Sequence, residues 1–135
     1  MGFENIITSL GINGMKVFIR LDKKSYHIAD EITGSIILKA GQSSQKVTHI
    51  ELKIIEKYEN DDETSEFTRL ENELERFVIN DKFSINMDET KKIDFNFKPE
   101  QLNFKCNDSN VYLHTHVYID LGIDEETEAI IPYTR

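Results

Sequence analysis

Between Val111 and Leu121 the sequence alternates with almost no break. Val111, Leu113, Val117, Ile119 and Leu121 fall on one phase, and Tyr112, His114, His116, Tyr118 and Asp120 on the other. Successive side chains of a β-strand point to opposite faces, so a period of two marks a strand with one face in a core and one toward the surface. This pattern constrains the fold more than any other feature of the chain, because each such strand needs hydrogen-bonded neighbours and a second layer to cover its apolar side.

The same rhythm recurs upstream. Met15, Val17, Ile19 and Leu21 alternate with Lys16, Arg20 and Asp22, and Ile32, Gly34, Ile36 and Leu38 with Thr33, Ser35 and Lys39. In a longer segment Ile50, Leu52, Ile54 and Tyr58 alternate with His49, Glu51, Lys53 and Lys57. Phe83 with Ile85, and Ile93 with Phe95 and Phe97, give two shorter strands, and Pro99 closes the second because it has no N–H to donate to a ladder. Turns fall at 41–44, 86–90 and 107–110, and the acid-rich stretch 60–66 reads as a solvated hairpin tip.

Two segments depart from the rhythm. Phe3, Ile6, Ile7 and Leu10 have helical spacing with Gly11 and Gly14 as stop signals, which predicts a short amphipathic helix over about 3–12. So short a helix has to dock on the rest of the fold. Over 67–79 the periods compete: Leu70, Leu74, Phe77 and Val78 are spaced as in a helix, yet the long preceding strand needs a hairpin partner, so at least Arg76 to Ile79 is assigned to a strand. The expectation is an all-β chain of about seven or eight strands, an antiparallel sandwich over about 15–132 with the helix at its edge, forming one domain over 1–135.

Composition sets limits on function. Acids outnumber bases, 25 to 16, giving a net charge of −9 that repels phosphate backbones and anionic lipid heads, so nucleic acid is not an expected partner. No apolar run is long enough to span a membrane, no secretory signal is visible, and the one cysteine, Cys106, is expected to be a buried or inert thiol. These features lead to the expectation of a cytoplasmic protein.

The candidate chemistry is sparse. His114 and His116 lie two apart on one strand, about 7 Å from each other along it, and a metal there would need a further ligand from His27, His49, Asp120 or Cys106. Acid pairs at Asp61-Asp62-Glu63, Asp88-Glu89 and Glu125-Glu126 fall in expected turns, where nothing raises a carboxyl pKa for acid catalysis. No phosphate-binding glycine loop, nucleophile elbow or zinc-protease helix is present in the sequence. The expectation is therefore no enzyme and no cofactor. The Tyr112, His114, His116, Tyr118 and Asp120 face is the candidate interaction surface, with a metal-dependent binder or sensor using His114 and His116 as the alternative.

A family resemblance adds to this. Leu21-Asp22, Tyr26, Ala29, Asp30 and Gly34, followed by Gln45, Ile50, Leu52 and Tyr58, resemble the opening of the bacterial sporulation-control protein family. The likeness continues through Phe83, Ile85, Ile93, Phe95, Phe97 and Pro99 to His114-Thr115, Ile119-Asp120 and Asp124. The chain departs from the pattern in Ala29 where the family has glycine, in a single Gly41 for a glycine pair, and in lacking a second proline after Pro99. The resemblance implies an arrestin-like, immunoglobulin-like sandwich, the amino-terminal one of two. It also implies a non-catalytic scaffold or adaptor for other proteins in sporulation or stress control. Open sheet edges and the amino-terminal helix are the expected routes to a homo-oligomer.

Overall fold

The structure is a computed structural model and describes residues 8–10, 15–59 and 69–135. Among the described residues eleven strands follow in order: β1 (Thr8–Leu10), β2 (Lys16–Leu21), β3 (Tyr26–His27), β4 (Ile32–Lys39), β5 (Gln45–Glu59), β6 (Arg69–Ile79), β7 (Phe83–Ile85), β8 (Thr90–Phe97), β9 (Asn110–Ile119), β10 (Glu125–Ile130) and β11 (Tyr133–Thr134). Two antiparallel sheets stack into a sandwich. One has the order β1-β2-β4-β8 and the other β10-β9-β5-β6, with β7 also paired to β5. Among the described residues no helix is long and apolar enough to cross a membrane.

The alternation places the core. Val17, Ile19 and Leu21 of β2 and Ile32, Ile36 and Leu38 of β4 are buried between the layers, facing Ile50, Leu52 and Ile54 of β5 and Leu113 and Val117 of β9. Each fully buried Ile or Leu contributes about 1.5–3 kcal/mol of transfer free energy. The segment between β2 and β4 is anchored by Tyr26. Its ring is fully buried, its hydroxyl donates to the Thr33 carbonyl (2.9 Å), and its N–H donates to the Pro132 carbonyl (2.9 Å). Asp30 accepts the His27 N–H at 2.9 Å, and that bond holds its carboxyl below the usual aspartate range. The tyrosine packs and the aspartate caps the turn.

Several expectations need correction. The helix over 3–12 is not formed at Thr8–Leu10, which is a strand pairing antiparallel with Lys16–Phe18, and the rest of that segment lies outside the described residues. Backbone pairing with the free edge of β2 offers ladder hydrogen bonds, whereas an isolated helix this short is marginal. The 60–66 tip also lies outside the described residues. Leu121 does not continue the apolar face of β9: the strand stops at Ile119, and Leu121 is fully exposed at φ 56° in the following turn. Glu125 and Glu126 are not in a turn but begin β10, an extra strand whose inward positions are Glu125, Thr127 and Ala129. Cys106 is half-buried, and a hydrogen bond from its thiol to Asp108 pushes the thiol pKa up, which leaves it a poor nucleophile.

The ambiguous 67–79 segment is a strand from Arg69 to Ile79, with a bulge. Ile54 pairs with Glu75 and Ile55 with Glu73, so Leu74 is the extra residue. The insertion turns an inward spacing of two into the spacing Leu70, Leu74, Phe77 that imitates a helix.

Gly34 is required by close approach rather than by its φ. A Cβ there would lie 2.2 Å from the Arg20 carbonyl oxygen and 2.8 Å from the Phe95 ring. Gly34→Ala is expected to cost about 3 kcal/mol, read as a lower urea midpoint with an unchanged slope. A variant as stable as the parent would show that β2 and β8 yield at this point.

Candidate functional site

The outer face of the five-stranded sheet is built mainly by β9, β10 and β5. On β9 the outward residues Tyr112, His114, His116 and Tyr118 are all half-buried. Asp120 lies past the strand end, exposed, with its N–H donating to the Lys46 carbonyl at 2.8 Å. The structure therefore gathers four of the five candidate residues on one surface and leaves Asp120 in the adjoining turn.

β10 supplies a second row. His116 faces Glu126 and His114 faces Glu128 in direct register, and Asp124 precedes the strand. His116 contacts Asp124 through Nε2 (3.0 Å) and Glu126 through Nδ1 (3.2 Å). His114 contacts the same Glu126 oxygen through Nε2 (2.9 Å) and Glu128 through Nδ1 (3.0 Å). Lys57 completes the row on Glu128 at 2.7 Å. The result is a zipper of carboxylate, imidazole, carboxylate, imidazole, carboxylate and ammonium across the two strands. An imidazole with acceptors on both nitrogens satisfies both as donor only when doubly protonated.

The aromatic rings lie flat along the same surface. His116 stacks on Tyr118 at 3.9 Å and Tyr118 on His49 at 4.1 Å, while the Lys57 ammonium sits 4.6 Å from the Tyr112 ring centre. Toward β6, Glu51 takes Lys53 (3.3 Å) and Arg76 (3.5 Å). Burial pushes Asp124 upward, but the Ile119 N–H and His116 outweigh it and hold the carboxyl low. Burial likewise raises Glu128, and Lys57 with His114 brings it below the usual range.

Of the further ligands proposed for a metal at His114 and His116, none completes a coordination sphere. His49 reaches the pair only through the Tyr118 ring, Cys106 is bonded to Asp108, and His27 is on β3. Among the described residues no group of three or more His, Cys, Asp or Glu side chains is placed to hold a metal ion.

One important residue escapes the sequence pattern. Glu56 occupies an inward position of β5, is fully buried, and organises the 103–109 loop beside the face. Its carboxylate accepts from the N–H groups of Lys105 (2.8 Å) and Cys106 (3.0 Å), the Ser109 hydroxyl (2.6 Å) and the Asn72 amide (3.2 Å). Arg135 clamps the same loop by donating to the Cys106 carbonyl at 2.8 Å and stacking over Phe104. A carboxylate in the core phase of a strand looks like a break in the alternation. Of the donors that justify it, Lys105, Cys106 and Ser109 are 49 to 53 residues away in sequence and Asn72 is 16 away.

The fold and this face define a class: an all-β antiparallel sandwich carrying an ordered, charge-alternating sheet surface. The sequence model of the family described as SpoOM protein matches residues 3–131, and the chain belongs to that family. It is similar to the sporulation-control protein spo0M of Bacillus subtilis (strain 168), with 25% identity over 127 residues that cover 91% of this chain and 48% of the relative. It is also similar to the crystal structure of Spo0M, sporulation control protein, from Bacillus subtilis. The TM-score is 0.75 at 25% identity, covering 90% of this chain and 49% of that one. The chain spans about half the length of the curated relative it matches.

Glu56 supplies a test of the loop. Burial raises its carboxyl pKa, but the bonds from Lys105, Ser109, Asn72 and Cys106 outweigh that and leave it below the usual glutamate range. A depressed folded-state pKa gives stability that is complete above the unfolded value of about 4.3. That stability is lost as pH falls through the folded value. Glu56→Gln is expected to cost about 2 kcal/mol or more at pH 7. It should also flatten the loss of stability below about pH 4.5 in thermal melts. An unchanged acid limb would remove Glu56 from this role.

Proposed function

We propose that this domain is a non-catalytic protein-interaction module, a scaffold or adaptor in sporulation control or a related stress or developmental pathway. It works in the cytoplasm by presenting the outer face of β9, β10 and β5 to another protein. The pathway comes from the Bacillus subtilis relative, whose name is that of a sporulation-control protein. The mode of action comes from the face itself. The observation that carries it is the prearranged stack of His116, Tyr118 and His49 beside the zipper from Asp124 to Lys57. Tyrosines held flat by neighbours offer contact area with little rotamer entropy left to lose on binding, which is where affinity concentrates in interfaces.

The face is favoured over the sheet edges because two of the edges are blunted. β6 carries the Leu74 bulge, and β8 turns Lys91 inward, its ammonium 4.6 Å from the Phe83 ring centre. Bulges and inward-pointing charges of this kind discourage strand addition.

The immobilised domain, exposed to extract of a sporulating Bacillus, is expected to retain the same proteins in replicate mass-spectrometry runs. Those proteins should be lost from a His116→Ala/Tyr118→Ala variant that melts as a folded protein. A capture set identical for the two forms, or no reproducible partner at all, would count against the module.

A further inference from the structure

The two outer faces of the sandwich differ in charge. On the five-stranded sheet, Lys53, Lys57 and Arg76 all stand within ion-pair distance of glutamates: Glu51 and Glu73 for Lys53, Glu71 and Glu128 for Lys57, Glu51 and Glu73 for Arg76. The outward positions of β2, β4 and β8 read differently. Lys16, Arg20, Lys39 and Lys92 lie there, and the one carboxylate among the outward residues of these three strands is Asp94, 3.8 Å from Lys92. A chain of net charge −9 thus keeps a basic surface on one side.

Three observations mark this surface as more than a solvated face. Lys16 is directly opposite Lys39 in the β2–β4 register, and like charges so placed destabilise a sheet. Neither lysine has a carboxylate partner among the described residues, although the chain is rich in acids. Next to that pair, Phe18 and Ile37 face each other in register, both half-exposed on the outer face, with Lys92 beside Ile37 on β8. An apolar centre is therefore rimmed by three ammonium groups, of which Lys92 has Asp94 and the Lys16–Lys39 pair has no carboxylate among the described residues.

We infer that the outer face of β2, β4 and β8 is a second docking surface, fitted to an acidic protein segment with apolar side chains between its carboxylates. This rests on the module reading given above and adds a partner chemistry to it. Carboxylates reaching Lys16, Lys39 and Lys92 would relieve the like-charge cost, and an apolar side chain would cover Phe18 and Ile37. A short segment is favoured over an anionic bilayer by charge. At physiological ionic strength fields decay over about 8 Å, so a segment of a few residues meets only the basic face, whereas a membrane plane also confronts the acids around it. A second copy brings its own net charge of −9 and is disfavoured for the same reason.

The test uses the whole chain and a synthetic seven-residue peptide alternating Glu or Asp with Leu or Phe, in binding measured by fluorescence anisotropy. The peptide is expected to bind saturably and more weakly as salt rises. Lys39→Glu/Lys92→Glu should weaken it tenfold or more, and the charge-matched control Lys24→Glu/Lys82→Glu much less, both pairs melting as folded proteins. Replacing the peptide's Leu and Phe by Ser should weaken binding as well. The inference is overturned by no peptide binding, by equal loss in the control pair, or by parent binding to phosphatidylglycerol vesicles but not to the peptide. Self-association of the parent that is abolished by Lys39→Glu/Lys92→Glu would likewise assign the face to a second copy and overturn it. If proteins captured from extract stay on Lys39→Glu/Lys92→Glu but leave His116→Ala/Tyr118→Ala, this surface is excluded and the module reading stands.

Discussion

Strand β5 is hydrogen-bonded along both edges, to β9 on one side and to β6 and β7 on the other. Its phase decides which residues of the larger sheet face inward. With Ile50, Leu52 and Ile54 committed to the core, register sends His49, Glu51, Lys53 and Lys57 outward beside Tyr118, His116, His114 and Asn110 of β9. A slip of one residue would exchange the two sets and bury four polar side chains, so the core pattern and the polar face are one specification. The zipper with β10 then follows from the register of β9, since Glu126 and Glu128 pair with His116 and His114.

The segments legible from sequence were those with strong contrast between phases. β2, β4, β5 and β9 alternate large aliphatics with charged or polar residues, and they formed as expected. β10 was illegible because its inward residues, Glu125, Thr127 and Ala129, carry almost no hydrophobic signal; the strand is specified by pairing with β9. β6 was obscured by its bulge. Leu121 was misassigned because alternation cannot mark where a strand stops: the chain leaves the ladder at Asp120, whose N–H is taken by Lys46.

Site prediction shows the same division. Tyr112, His114, His116 and Tyr118 were found because a strand's phase places them together. Their partners Glu126 and Glu128 were not, because they come from the strand that left no signal, and Asp124 stands just before that strand. The face also shows why two histidines spaced for a metal need not be ligands. Each imidazole already has carboxylates at both nitrogens, and a metal would have to replace those contacts one by one. The charge difference between the sandwich's two sides was hidden for another reason, since it depends on which strands share a sheet.

Glu56 has a consequence for how the surface can diversify. Two of its four donors are backbone amides, of Lys105 and Cys106, and amides are present whatever side chains those positions carry. The carboxylate acts as a fixed mount: it sets the course of the loop while leaving the loop's own chemistry largely unspecified. Mutations at 105–108 can therefore alter charge and shape beside the tyrosine–histidine face without disturbing the sandwich. A sandwich built this way can change the chemistry of this loop at little cost in stability, provided that residue 56 stays as it is.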